Sequence, residues 1–218
     1  MKKNVLFSRR RTALRRILRT LVCLLLVQHI LGVGLLLPRQ AIRQVEQRSG
    51  VTGTRVVARR WMPKLYATHL LYLTENEAAT QLCDTHWTIF GWEGGFGWTL
   101  DCTTGEPLYI AERSMSRSDE TLWYYYGRVD NVRIADISVS VQAEEFADGK
   151  SVSREVDRFT AAKGDWLTKE GRRYFLLRQA DGTWPYEQER RRAFAVALDA
   201  EGKELFRQEI EQGTFSYY

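Results

Sequence analysis

The chain has 218 residues, 44% of them hydrophobic, with 32 Lys and Arg against 27 Asp and Glu and a net charge of +5. That charge is unevenly placed, because residues 1–40 carry nine cationic residues and no acidic one, leaving 23 against 27, about −4, for the rest. A basic surface for nucleic acid is therefore not supported, and we predict no nucleic-acid partner.

The first predicted elements are a basic tail, residues 1–20, and a transmembrane helix, residues 21–38. The run LVCLLLVQHILGVGLLL (residues 21–37) is interrupted only by Gln28 and His29. At about 1.5 Å per helical residue it nearly crosses a hydrocarbon core. If Arg19 snorkels to the headgroups, lipid contact extends over residues 17–37.

Charge predicts the orientation of this span. Residues 1–20 contain eight Lys and Arg and no acidic residue. The positive-inside rule therefore places the N-terminus in the cytoplasm and the C-terminal part outside the cell. A cleaved signal peptide is the alternative, but the apolar run exceeds the ~7–15 residues of a signal and no A-x-A site follows it. We predict a single-pass protein of the cell membrane.

A juxtamembrane stem and one β domain follow. Residues 39–52 are polar, with Ile42 and Val45 on one helical face, and precede a domain over residues 53–218. That length suffices for one domain with its own core. Thr74-Glu75-Asn76-Glu77 is either a capping box that opens a short helix or an Asn-centred turn between LLYLT and AATQLC. We favour the hairpin, and we predict another strand over residues 106–113.

The second half of the domain alternates with period two. ADISVSVQ places Ile137, Val139 and Val141 on one face, the pattern of a half-buried strand. Turn signals follow at Asp148-Gly149, at Asp181-Gly182 and in the DAEGK loop with Gly202. Short alternating runs between such turns predict an antiparallel β-sandwich-like, immunoglobulin-like domain, mainly β. In its closing hairpin we expect Phe194, Val196 and Leu198 to face the core, opposite Leu205 or Phe206.

The segment HWTIFGWEGGFGWTL, residues 86–100, interleaves aromatic residues with glycines. Trp87, Trp92, Phe96 and Trp98 are candidate ligand-binding residues, because flat rings on a flexible loop suit a sugar or lipid headgroups. The same rings could instead fill the core or contact the membrane. Core packing is the interpretation we favour.

Two cysteines lie outside the predicted span, Cys83 and Cys102. An exterior location permits a disulfide between them, closing a loop of about 20 residues; two buried free thiols are the alternative. A zinc site from Cys83, His86 and Cys102 lacks a fourth strong ligand at a recognisable spacing. We predict no metal site and no cofactor.

The runs YYYGRVDNVRIADISVSV and AVALDAEGKEL carry a resemblance. They are similar to the outer domains of uncharacterised single-pass membrane proteins of Gram-positive bacteria, whose closing hairpin has this D-x-x-G form. The resemblance covers residues 65–210 and implies an extracytoplasmic β domain in the bacterial cell envelope. It implies no activity.

Enzyme motifs are absent from the sequence. There is no G-x-S-x-G and no H-E-x-x-H. His69 and His86, with Asp84 and Asp101, are candidates for an acid/base pair, but nothing in the sequence brings them together. We therefore predict a membrane-anchored, non-catalytic extracytoplasmic module that binds another membrane or envelope protein or a cell-envelope component. The alternative is a cell-envelope hydrolase with an unrecognised site.

Overall fold

The computed structural model describes residues 2–30, 35, 37–61, 69–117, 120–147, 150–179 and 190–210. Within this part of the chain, helices α1 (Lys2–Ile30) and α2 (Pro38–Arg48) precede the strands, and a short 3₁₀ helix (Lys163–Asp165) interrupts them. The strands are β1 (Arg55–Trp61), β2 (His69–Glu75), β3 (Ala79–Thr88), β4 (Gly91–Asp101), β5 (Leu108–Arg117), β6 (Glu120–Val129), β7 (Asp136–Ala147), β8 (Lys150–Thr160), β9 (Trp166–Lys169), β10 (Arg172–Gln179), β11 (Arg190–Leu198) and β12 (Glu204–Glu209).

The described strands form three antiparallel sheets of four strands each. The helix-side sheet has the order β1-β2-β3-β4, the central sheet β5-β6-β10-β9 and the distal sheet β12-β11-β7-β8. Every paired neighbour is antiparallel. The predicted mainly β, sandwich-like fold is therefore confirmed, with one more sheet than a two-layer immunoglobulin-like sandwich contains.

The central sheet is buried on both faces. One core joins it to the helix-side sheet through Leu71, Leu82 and Trp98, and another joins it to the distal sheet through Ile137 and Val139. Successive residues of a strand point to opposite faces. This explains three consecutive tyrosines, each 0% exposed: Tyr124 and Tyr126 enter the first core and Tyr125 the second.

Helix α2 covers the other face of the helix-side sheet. Ile42 and Val45 pack there against Leu70, Tyr72 and Cys83, as expected from their shared helical face. The glycines of β4 allow this close contact, because a Cβ on Gly94 would lie 2.7 Å from the Ala41 carbonyl oxygen. The segment predicted as a stem therefore contains a helix packed against the domain.

Local sequence patterns correctly predicted one turn and two strands. The Asn76 side chain accepts hydrogen bonds from the backbone N–H groups of Ala78 (3.0 Å) and Ala79 (2.8 Å), forming the predicted turn between β2 and β3. The predicted strand at residues 106–113 is β5, and Ile137 and Val139 of β7 are 0% exposed. Asp148-Gly149 and Asp181-Gly182 lie outside the described residues.

The closing hairpin exists, and the prediction of its buried face holds in part: Val196 is 1% exposed, and Leu205 and Phe206 pack against the second core. Gly202 has φ +79°, as its loop requires, and β11 pairs with β12. However, the second core is lined by Ala193, Ala195 and Ala197, placing Phe194, Val196 and Leu198 on the opposite face. Small side chains suit the inner face, because Tyr125 and Phe175 of the central sheet fill the same core.

The N-terminal helix α1 contains the basic tail and the first part of the predicted span, and it ends at Ile30. No helix among the described residues is long and apolar enough to cross a membrane. Residues 31–34 and 36 of the predicted span lie outside the described residues. The described apolar side chains of the helix, from Leu14 to Ile30, are exposed, including Leu18 (62%), Leu24 (60%) and Ile30 (78%).

Gly127 provides a test of the central sheet. It lies in β6 between Ile110 of β5 and Phe175 of β10, and a Cβ there would be 1.9 Å from the Tyr109 carbonyl oxygen. We expect Gly127→Ala to lower the free energy of unfolding by about 1–3 kcal/mol or more, because backbone would have to move. Gly164→Ala is the control, since nothing lies within 4 Å of a Cβ there. Equal urea midpoints for the two variants of the full chain would contradict the close packing at Gly127.

Candidate functional site

The hairpin of β3 and β4 presents an apolar tip. Ile89 and Phe90 form the turn between Thr88 and Gly91 and are 90% and 51% exposed, and Trp87 beside them is 47% exposed. We call Trp87, Ile89 and Phe90 the hairpin tip. No charged residue occurs from position 87 to 92, so the tip is an uncharged, exposed surface.

The four aromatic residues proposed as a ligand platform do not lie together. Trp98 is 3% exposed in the core between the helix-side and central sheets, whereas Trp92 packs on the side of α2. Trp87 meets Trp92 edge to face at 5.5 Å, and Phe96, 53% exposed, lies 6.2 Å from the Trp98 ring. The core interpretation therefore holds for Trp98 alone, since Trp87 and Phe96 are about half exposed and Trp92 is only partly buried beside α2.

The prediction missed Ile89 and Phe90, although two large apolar residues inside a turn are a signal in themselves. Turns normally carry Gly, Pro, Asn, Asp or Ser. An isoleucine and a phenylalanine at such positions bury little surface within the chain, so they indicate a contact made outside it.

The hairpin lies beside the segment that connects α1 to α2. Leu35 and Trp92 exchange two backbone hydrogen bonds, Leu35 N to Trp92 O at 2.8 Å and Trp92 N to Leu35 O at 2.7 Å. Leu37, two residues further along, is 60% exposed. The hairpin tip therefore lies next to the last residues of the predicted span, because Trp92 is two residues from Phe90 and pairs with Leu35.

A second group of functional side chains lies on the opposite face of the same hairpin. His69 of β2 pairs in register with His86 of β3, and Leu71 pairs with Asp84, so these side chains share the face toward the central sheet. The His69 Nδ1 lies 3.0 Å from Asp84 Oδ1, and the two imidazole rings stack at 4.9 Å. We call His69, Asp84 and His86 the His–Asp cluster.

The cluster is partly enclosed. Asp84 is 6% exposed, and the side chains of His69 and His86 are 17% and 27% exposed. Glu93 of β4 extends the row, with its Oε2 3.6 Å from His86 Nε2. Burial raises the pKa of the Tyr124 hydroxyl, and the negative charge of Asp84 adds to this effect.

Sequence reasoning named His69, His86 and Asp84 but did not assemble them. The predicted Asn76 turn was the signal that could have found them: Glu75 pairs with Thr80 across the turn, and the same register continues without a shift to His69 and His86. Asp101, the fourth residue considered, pairs with Ala79 at the other end of the strands and does not belong to the cluster.

The proposed disulfide is corrected by the structure, in which Cys83 and Cys102 are buried free thiols. Cys83 lies opposite Gly97, whereas the backbone N–H of Cys102 donates to the Ala78 carbonyl, five residues away along β3. At about 3.4 Å per residue that is about 17 Å, far beyond the reach of a disulfide. Burial also raises the pKa of Cys83 to about 12, so this thiol is unreactive at neutral pH.

The zinc site considered from Cys83, His86 and Cys102 is likewise not assembled. Cys83 packs on the side of α2, whereas His86 faces the central sheet.

Two open clefts of about 360 and 410 Å³ are lined by residues of α2 and of β1 with its neighbours, and neither includes the His–Asp cluster.

The two tryptophans on the hairpin give opposite expectations for stability. Trp98→Ala should lower the free energy of unfolding by about 3–5 kcal/mol, because it empties a core site between two sheets. Trp87→Ala should cost less than about 1 kcal/mol, since the ring is half exposed. Chemical unfolding of the full chain measures both, and similar costs for the two variants would contradict the assignment of their environments.

The comparisons with known proteins leave this geometry without a relative to interpret it. A scan of protein-family models found no match, and searches of curated proteins and of solved structures found none either.

Proposed function

We propose that this protein is a single-pass membrane protein whose β domain lies outside the cytoplasm and acts as a non-catalytic binding module. Its hairpin tip contacts the outer leaflet of the membrane in which the chain is anchored. The observation that carries this proposal is the exposure of Ile89 and Phe90, beside Trp87, in a turn next to Leu35.

The proposed anchor is supported by charge and by unburied apolar surface. Eight cationic residues precede position 21, and within the described part of the chain the apolar side chains of α1 from Leu18 to Ile30 belong to no core of the domain. Exposed apolar side chains at this density require an apolar surrounding. A lipid bilayer supplies it and agrees with the positive-inside rule.

The proposed contact of the tip follows from its chemistry and place. Transfer of one large apolar side chain from water contributes about 1.5–3 kcal/mol, so leaving both Ile89 and Phe90 in water forgoes a substantial stabilisation. Tryptophan favours the boundary between lipid and water, where its ring is buried and its N–H stays near polar groups. Leu35 belongs to the predicted span, and its backbone pairs with Trp92 of the hairpin. The lipid surface is therefore the apolar partner within reach of the tip.

The alternative, a cell-envelope hydrolase, has one observation in its favour. Asp84 orients His69, as in an acid/base pair. However, the neighbouring hydroxyl of Thr85 points to the other face of the sheet and donates to the Leu70 carbonyl at 3.2 Å. It is therefore not placed to act as a nucleophile activated by His69.

Topology gives the first test of this proposal. A reporter that is active only outside the cytoplasm, fused after Tyr218, should be active in cells. The protein should also remain in the membrane fraction after carbonate washing. Release of a fragment that begins near Leu35 or Ala41 would show that the apolar run is a cleaved signal peptide.

The tip is tested in vesicles made of lipids with brominated acyl chains, which quench nearby tryptophans. With the full chain reconstituted, we expect part of the fluorescence to be quenched and Trp87→Phe to remove most of that part. The double variant Ile89→Ser, Phe90→Ser should reduce the quenching at unchanged far-ultraviolet circular dichroism.

Val132→Ser is the matched control, because Val132 is 92% exposed in a loop away from the hairpin. It should leave the quenching unchanged. Equal quenching of the wild type and the double variant would contradict lipid contact by the tip. It would favour a protein partner that covers the tip instead.

A further inference from the structure

We infer that the His–Asp cluster binds a divalent transition metal ion, with zinc as the best match, and that Glu93 supplies a fourth ligand. This inference goes beyond the proposed function and does not rest on it. The donors are two imidazoles and a carboxylate whose ligand atoms all lie within 4.8 Å of one another. Imidazole and carboxylate groups together suit zinc, iron and related ions.

The distances are close to those that a bound ion requires. With metal–ligand bonds of 2.0–2.1 Å, neighbouring ligand atoms of a tetrahedral zinc site are about 3.3 Å apart. His69 Nδ1 and Asp84 Oδ1 are already 3.0 Å apart. The ligand atoms of the cluster lie within 4.8 Å of one another, so the widest separation must shrink by up to about 1.5 Å when the ion binds.

The backbone holds the ligands on one rigid surface. His69 and His86 are direct partners across β2 and β3, and His86 and Glu93 are direct partners across β3 and β4. Directly opposed residues have Cβ atoms about 4.5–5.5 Å apart, a spacing from which both side chains reach a common ion. The site therefore needs no rearrangement of the strands.

An ordinary hydrogen bond between His69 and Asp84 explains only part of this arrangement. It does not explain why a second imidazole stacks on the first at 4.9 Å with an interplanar angle of 13°. A metal ion bound at His86 Nε2, the nitrogen that Glu93 approaches, would hold both imidazoles in the neutral form. The rings must turn out of their parallel stack to share it, because the lone pair of each imidazole lies in the plane of its ring.

Because Gly95 has no side chain, there is room beside it for the Asp84 carboxylate. A Cβ at this position would lie 2.5 Å from Asp84 Oδ2 and 3.2 Å from its Cγ. Its φ is not in the left-handed region, so backbone conformation does not require a glycine here. An alanine would displace the Asp84 carboxylate, which makes Gly95 a positioning residue of the proposed site.

The choice of zinc follows from the ligand types. Calcium takes six to eight oxygen ligands, and magnesium holds most of its coordination sphere as oxygen in an octahedron. Two imidazole nitrogens in a set of four ligands match neither ion. Zinc accepts two histidines and two carboxylates in a tetrahedron.

The experiment is a zinc titration of the purified full chain, without a polyhistidine tag and after treatment with a chelator. Calorimetry should show one zinc ion per chain, and Co²⁺ should produce the visible absorption of a tetrahedral complex. Because outer-sphere partners of a metal typically contribute 10–100-fold to affinity, loss of a direct ligand in His86→Ala should weaken zinc binding at least about 100-fold. Gly95→Ala should weaken it by about 10–100-fold while all four ligands remain.

Asp101→Asn is the matched control, since this exposed carboxylate lies on the same sheet but at its far end. Cys83→Ser tests whether a thiol contributes, and both variants should bind zinc as the wild type does. The Glu93 side chain is 41% exposed, so Glu93→Gln should fold normally even if variants of the more buried ligands do not. It should weaken zinc binding. Failure of the folded wild type to bind zinc, or wild-type affinity in both His86→Ala and Glu93→Gln, would overturn the inference.

Discussion

Burial of both faces of the central sheet is the constraint on which the rest of the structure depends. A strand with two covered faces must be apolar at successive positions, and any polar group it carries needs a partner. The consecutive tyrosines of β6 meet both demands, since Tyr126 donates to the Trp98 carbonyl at 3.0 Å and Tyr125 to Gln179 at 3.3 Å. A buried ion pair of Arg191 with Glu112, at 2.7 Å, then connects the distal sheet to the central one.

The same constraint fixes the hairpin that carries both proposed sites. The helix-side sheet is held between the central sheet on one face and α2 on the other, with Gly94 and Gly97 of β4 permitting the close approach of α2. Beyond these contacts, the ends of β3 and β4 form the hairpin. One face leads to Trp87 and the apolar turn, and the other carries His86 and Glu93. Membrane contact and metal binding are thus separate proposals on opposite faces of one element.

The sequence predicted features that short-range chemistry determines. The Asn76 turn and the alternation of β7 follow from a few adjacent residues, and both are present in the structure. The pairing of His69 with His86 follows from the same Asn76 turn, because the register of this hairpin continues from Glu75 and Thr80 without a shift. The alanine face of β11 and the separation of Trp92 from Trp98 depend instead on which sheet covers which face and on the register shift between β3 and β4. Those two properties come from packing between sheets, so local patterns could not reveal them. The membrane span remains a prediction.

Native-state hydrogen exchange of the full chain tests most directly whether the central sheet holds the molecule together. Amides of β6 and β10, paired from Trp123–Gln179 to Val129–Arg173, should exchange most slowly and share one free energy of opening, that of global unfolding. The amides of β8 and β12, at the edges of the distal sheet, should exchange faster through local opening. Faster exchange in β6 than in the outer sheets would contradict the account, because the central sheet cannot open while both neighbours remain packed on it.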